Sequence, residues 1–338
     1  MLETKANLFI HLTIFITRIG VVVGLAISAQ FAYAQNVAQN YPNKPIKAIV
    51  PFAAGSATDQ IGRAFTAKMS EILGQPIVIE NKPGVNGMLG AEAVAKADPD
   101  GYTILIASPS SISVNPALNA KLGYTSKDLF PVTKITSSPL VIAANPNAGL
   151  NSLSDLVTKA KKAPGSINFA TSGNGSAPHL GAALFAQIAG IEMTHIPFKG
   201  GAPAVQSVVA GDTQVTFGTP PSVLPMIQAG RLKGLGVSTK EKSSLVPGMP
   251  GSIEAGFPDY AIEFWYGIFL PNGTPPAVVK KIFDAAQFAM SQASVKAALA
   301  REGTDVDVSK SPEQFASFLN EDSKFWVKLV KSAGVKSD

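Results

Sequence analysis

Short runs of hydroxyl-bearing and glycine residues recur along this chain: Gly55-Ser56-Ala57-Thr58, Ser108-Pro109-Ser110-Ser111, Thr171-Ser172-Gly173-Asn174-Gly175-Ser176 and Gly218-Thr219. Serine and threonine hydroxyls are neutral donors, as are backbone N–H groups left bare by small residues, and together they suit the oxygens of a carboxylate. Ser108, Ser110, Ser172, Ser176 and Thr219 supply hydroxyls; the backbone near Gly55 and along Gly173-Asn174-Gly175 supplies N–H groups. Such donors hold an anion without the desolvation penalty of a buried ion pair. His179 adds a donor if it faces the ligand, and otherwise reads as a solvent-exposed histidine at a helix start. Lys199 reads as a solvated loop lysine, Trp265 as the wall of an apolar ligand slot and Tyr266 as a core aromatic.

Patterns for catalysis are missing. The histidines are His11, His179 and His195, and neither of the last two belongs to a His-x-x-x-His pair or a Glu-containing zinc motif. No Gly-x-Ser-x-Gly elbow and no P-loop occurs, and Gly173-Asn174-Gly175 lacks the third glycine of a dinucleotide fingerprint. The residues therefore favour binding over catalysis, with no metal and no cofactor.

The hydroxyl runs need elements to position them. Ile46, Ile49 and Val50 make a buried strand that ends at Pro51, which has no N–H to donate. Ile61, Phe65, Met69, Ile72 and Leu73 then recur at helical spacing, so a helix follows, capped by Thr58 or Asp59, and its positive end suits an anion. The same order of strand, small-residue loop and helix returns at residues 168–188, and the apolar run 103–107 also opens into hydroxyls. Strand-like and helix-like segments alternate throughout, which predicts an α/β fold with largely parallel sheets. Two such α/β lobes, with loops at the strand C-termini, would face each other across a ligand cleft.

The first residues read as a leader. Lys5 and Arg18 flank an apolar core at 19–27, too short to span a bilayer comfortably, and Ala32-Tyr33-Ala34 is a small-x-small cleavage signature. A cleaved signal peptide at 1–34, a mature start at Gln35 and export follow. Without Lys5, Arg18 and Glu3 the chain has 26 basic and 22 acidic residues, a net charge of +4. That is too mild and dispersed for a nucleic-acid partner, but it suits an anionic small molecule. The absence of cysteine excludes disulfides, thiol chemistry and lipid attachment through cysteine, so the expected product is free in an exported compartment, the periplasm of a bacterium.

Several blocks share one resemblance. Tyr41-Pro42-x-Lys44-Pro45-Ile46, Ile49-Val50-Pro51-Phe52 with Gly55 and Asp59, Glu80-Asn81-Lys82-Pro83-Gly84, Pro99-Asp100-Gly101-Tyr102-Thr103, Phe198-Lys199-Gly200, Gly211-Asp212 and Gly273-Thr274-Pro275 resemble the tripartite tricarboxylate transporter receptors, the Bug-type solute-binding proteins. The resemblance covers nearly all of the mature chain. It implies a periplasmic binding protein-like fold, a monomer whose two lobes close on a small mono- or dicarboxylate, and delivery to the large and small membrane subunits of a transporter. Lobe 1 is expected at 35–138 plus 256–338 and lobe 2 at 139–255. Carried onto this sequence, the first contact loop runs Phe52-Ala53-Ala54-Gly55-Ser56 and on to Asp59, and the second Thr171-Ser172-Gly173-Asn174-Gly175-Ser176 with His179. Ser108 and Ser110 adjoin the first, Thr219 and Asp212 lie near the floor of the second lobe, and Trp265 walls the cleft. Relatives commonly carry Gly-Gly where this chain has Gly55-Ser56, which makes a positive φ at position 56 less comfortable and offers a hydroxyl instead. The same closure would also serve a receptor feeding a sensor kinase, and the less favoured alternative is a serine/histidine hydrolase.

Overall fold

The computed structural model describes residues 40–119 and 122–335; the leader and cleavage site expected at 1–34 lie outside the described residues. The chain builds two sheets. The first holds β1 (Ile46–Val50), β2 (Ile77–Asn81), β3 (Thr103–Ala107) and β4 (Leu129–Pro139), with helices α1 (Ala57–Leu73) and α2 (Met88–Ala95) between them. The second holds β5 (Val141–Ala144), β6 (Asn168–Thr171), β7 (Thr194–Pro197), β8 (Val215–Gly218) and β9 (Lys233–Val237). Its connections include α3 (Leu153–Lys162), α4 (Ala177–Ala189), α5 (Gly201–Ala210) and α6 (Pro220–Gln228). The chain then returns to the first sheet through β10 (Glu263–Pro271), α7 (Pro276–Ser291), α8 (Ala293–Arg301), β11 (Asp305–Val306) and α9 (Pro312–Ala333).

Strand order is β11-β4-β10-β3-β1-β2 in the first sheet and β7-β6-β8-β5-β9 in the second. β1 pairs in parallel with β2 and β3, and β6 with β7 and β8. Near-continuous apolar runs such as Ile104-Leu105-Ile106-Ala107 are what a parallel strand covered on both faces requires. The strand that follows each passage between sheets is reversed, β10 against β3 and β4 and β5 against β8 and β9, and the short edge strand β11 also runs antiparallel to β4.

The stretch before Leu140 is the 11-residue strand β4. Its hydroxyls and Lys134 hide the apolar pattern, and the buried lysine is tolerated because it is paired: Lys134 Nζ lies 3.0 Å from Glu263 and 2.5 Å from Asp307. The outward passage is Leu140 and the return passage ends at Ile262. Ser238 joins them, since its Oγ accepts from the Leu140 N–H at 2.7 Å and donates to the Ile262 carbonyl at 2.6 Å.

Candidate functional site

Two strand-to-helix loops have the same internal construction. Gly55 has φ +77°, and the next residue, Ser56, is extended at φ −67°, ψ 160° and caps α1 by accepting from Asp59 N–H at 3.3 Å. Gly175 has φ +67°, and Ser176 at φ −70°, ψ 157° caps α4 by accepting from His179 N–H at 3.3 Å. In each loop the side chain three residues past the cap turns back to the glycine. Gly55 N–H donates to Asp59 Oδ2 at 2.9 Å, and Gly175 N–H to His179 Nδ1 at 3.0 Å, reciprocal bonds in the manner of a capping box. Positive φ therefore falls on glycine in both loops, and serine at position 56 is unstrained. The cap of α1 is Ser56, not Thr58 or Asp59, because only the residue with extended backbone ahead of the first turn can aim its oxygen at the free N–H groups.

These bonds occupy several expected ligand donors. Asp59 is buried, accepts from Asn81 and from Arg63 as well as Gly55, and braces the loop from behind. Burial alone would raise its carboxyl, but the bonds from Arg63, Gly55 and Asn81 outweigh it and hold the group below its ordinary value. Ser176 Oγ also donates to the Gly173 carbonyl at 2.8 Å. Ser176→Ala is therefore expected to lower stability by about 1–2 kcal/mol through loss of the cap, which urea unfolding would measure.

His179 and His195 stack face to face, with ring centroids 3.7 Å apart and 10° between planes, and Phe169 stacks on His195 at 4.9 Å. Strand pairing explains this, because parallel register sets Phe169 beside His195. Thr171 Oγ1 lies 2.7 Å from His195 Nε2. Burial, reinforced by the neighbouring His179, pushes the His195 imidazole down to about 3.

Between the sheets lies a cavity of about 50 Å³. That is roughly three to five times the room one water needs, so the two lobes stand close around it. From the first lobe Phe52, Ser56, Ser108 and Ser110 line it; from the second, Thr171, Ser172 and Thr219. No lining side chain is charged. Ser108 is fully buried and its Oγ has no hydrogen-bond partner. Ser110 Oγ accepts from the Ala177 N–H across the lobes at 3.1 Å. The hydroxyl-rich segment after β3 is a π-helical turn, Ser110–Val114, rather than an open loop.

Other expected contacts lie off the cavity. Ala53, Ala54 and Gly55 are exposed and do not line the cavity, and Asp212 is exposed at the turn before β8. Gly173, Asn174, Gly175, Ser176 and His179, in the same loop as Thr171 and Ser172 and at the start of α4, do not line the cavity either. The two aromatics of β10 exchange roles: Trp265 is fully buried against Phe315 and Phe318, while Tyr266 lines the cavity with Phe264. Alternation along a strand forces neighbours to opposite faces, and the sheet, not the sequence, decides which face meets the second lobe. Burial raises the Tyr266 phenol, partly opposed by a hydrogen bond with Thr219 of the other lobe.

A family model described as the tripartite tricarboxylate transporter family receptor matches residues 61–335. The chain belongs to that family. Protein BugT of Bordetella pertussis is 33% identical over 322 residues, covering 95% of this chain and 98% of its own. Two solved proteins of Rhodopseudomonas palustris share the fold. Rpa4515, solved with adipate, is 29% identical with a TM-score of 0.84, covering 88% of this chain and 99% of its own. MatC, solved with bound malate, is 31% identical with a TM-score of 0.80, covering 86% and 100%. The fold is that of periplasmic binding proteins, and family and fold are those of substrate-binding receptors.

In this receptor the second-lobe wall includes Gly200 and Gly201 at the start of α5, with Val205 one turn on. Sequence reasoning assigned none of them to the site, nor Phe264, Phe217 or Ser222. The Gly200-Gly201 pair ahead of a helical run was the available signal, since a Cβ on Gly201 would come within 2.6 Å of Ser222 Oγ. No helix among the described residues is long and apolar enough to cross a membrane.

Proposed function

We propose that this receptor is a periplasmic protein, mature from Gln35, that captures a small mono- or dicarboxylate between its lobes and delivers it to the large and small membrane subunits of a tripartite transporter. It acts as a monomer and without catalysis. The lobes divide at the passages through Leu140 and Ile262. Residues 256–261 go with the second lobe, because Phe257 and Tyr260 pack on its core, whereas an expected boundary at 255 leaves them with the first. Closure is a hinge motion about these two passages, with Ser238 between them.

The observation that carries this reading is Ser108 Oγ, buried and unpartnered in an uncharged, hydroxyl-lined cavity. A buried hydroxyl without a partner is costly, and a carboxylate oxygen would relieve that cost while meeting Ser56 and Ser172 from either side. The relatives solved with adipate and malate support the ligand class. His195 supports the receptor role: an imidazole pushed down to about 3 is too weak a base to activate Thr171.

A thermal-shift screen over mono- and dicarboxylates, followed by calorimetry, tests the proposal. At least one acid is expected to raise the melting temperature, and Ser108→Ala to weaken its binding about tenfold without lowering the stability of the unliganded protein, since the change removes an unsatisfied buried hydroxyl. No shift with any acid, or turnover of carboxylate esters abolished by His179→Ala, would overturn it.

A further inference from the structure

The loop between β2 and α2 reaches across the cleft. Four consecutive residues, Gly84, Val85, Asn86 and Gly87, have positive φ, at +142°, +44°, +52° and +89°. Glycine adopts such angles freely, but for β-branched Val85 the conformation is disfavoured and persists only where surroundings impose it. Asn115, itself buried, imposes it by donating from Nδ2 to the carbonyls of Val85 at 3.2 Å and Asn86 at 3.3 Å. Gly87 completes the clamp, since a Cβ there would lie 3.1–3.2 Å from Ser111, Phe52 and Pro51.

The strained turn points one side chain at the other lobe. Asn86 Nδ2 donates to the Asn174 carbonyl in the loop between β6 and α4. The receiving loop is cleared of side chains where Asn86 arrives: a Cβ on Gly173 would lie 2.7 Å from Asn86 Oδ1, and one on Gly175 would lie 3.7 Å from Asn86 Nδ2 and 2.5 Å from Leu118. Asn86 does not line the cavity, while Ser172, two residues before Asn174, does.

We propose that Asn86 is a latch across the mouth of the cleft, which stabilises the closed arrangement of the lobes and must let go before solute leaves. The inference rests on reading the lobes as a pair that opens and closes. It assigns Asn86 a positioning role that acts on opening rather than on solute contact. Strain in the turn is held on the first lobe by Asn115, so the side chain is already aimed when the lobes meet. Other contacts also join the lobes, among them Ser110 Oγ to the Ala177 N–H, Ser332 Oγ to Gln187 Oε1 at 3.3 Å, and the packing of Ala177 and Leu180 on the first-lobe core, so the latch biases the equilibrium without setting it alone.

The chain has no cysteine, so spin labels can be placed at will. Cysteines replacing exposed Ala67 on α1 and exposed Lys161 on α3 report the separation of the lobes by pulsed dipolar spectroscopy. Two variants remove the latch differently. Asn86→Gly keeps the positive φ without a side chain, and Asn86→Asp keeps the shape but sets an acceptor against the Asn174 carbonyl. Both are expected to raise the open-to-closed ratio of the protein without added solute about three- to tenfold, the weight of one hydrogen bond. With adipate or malate as probe, dissociation is expected to quicken by a similar factor and association to change little. Unchanged distance distributions in both variants overturn the latch, and so does Asn86→Asp behaving as wild type while Asn86→Gly opens, because the donated bond is then not what fastens the loops. If neither acid binds while the distances shift, the latch stands and the ligand class falls. If adipate closes wild type and both variants alike, with equal dissociation rates, the latch falls and the receptor stands.

Discussion

Trp265→Ala is expected to lose about 3–5 kcal/mol of stability, the range for emptying a buried tryptophan site. Trp265 is fully buried and meets Phe315 at 5.6 Å and 86° and Phe318 at 6.0 Å and 85°, edge-to-face arrangements that add to the area each ring buries. The same face of β10 admits Phe315 over Gly267, where a Cβ would come within 2.5 Å of the ring, so the packing leaves no neighbour free to refill the hole. Through β10 the loss reaches β3 and β4, which hold the central strand on either side. Urea unfolding measures it. If Trp265→Ala instead unfolded like wild type and lost carboxylate binding, the residue would belong to the cleft after all. Tyr266, on the opposite face, is the β10 aromatic whose change to phenylalanine is expected to be read in affinity rather than stability.

Acid is expected to destabilise the protein through His195. Its folded-state value of about 3 lies below the ordinary histidine value near 6.5. Below about pH 6.5 the unfolded chain therefore binds a proton that the folded chain refuses, and stability falls as pH falls until about 3. The limiting slope is about 1.4 kcal/mol per pH unit, but solvent still reaches part of the ring and screens it, so from about pH 7.5 to about pH 4.5 the expected loss is about 1–2 kcal/mol. The physical cause is burial first, then repulsion from His179 stacked at 3.7 Å; Thr171 and Phe169 complete the surroundings without a compensating anion. Carboxylates titrate in the same range, so the difference between wild type and His195→Gln isolates the histidine. A pH slope unchanged in that variant would mean His195 takes its proton in the folded state.

Much of the arrangement was legible because local rules govern it. Apolar runs ending in Pro51 or in hydroxyls, followed by helical spacing, predict strand, loop and helix at both Ser56 and Ser176, and the structure places those two loops in matching geometry. Phe52, Ser56, Ser108, Ser110, Thr171, Ser172 and Thr219, all named from residue type or resemblance, line one cavity. Where the reading departed from the structure, a side chain had two faces to choose from. Asp59, Ser176 and His179 carry polar atoms that suit a ligand equally well as their own loop, and the loop, being closer, takes them. β4 gives no apolar run to read because Lys134 is buried within it, and the acids that pair with that lysine, Glu263 and Asp307, lie far along the chain, beyond any window of sequence.

By itself the sequence determined the alternation that makes an α/β fold, the pair of small-residue loops at strand ends, and the neutral, hydroxyl-rich character of the groups offered to a solute. These are properties of neighbours in the chain, set by backbone sterics and periodicity. Only the tertiary structure decided that Tyr266 rather than Trp265 meets the cleft, that His195 stacks on His179, and that Asn86 touches Asn174. Each of those depends on which face of a strand or which turn of a loop another lobe covers, and that is settled by packing between segments far apart in sequence.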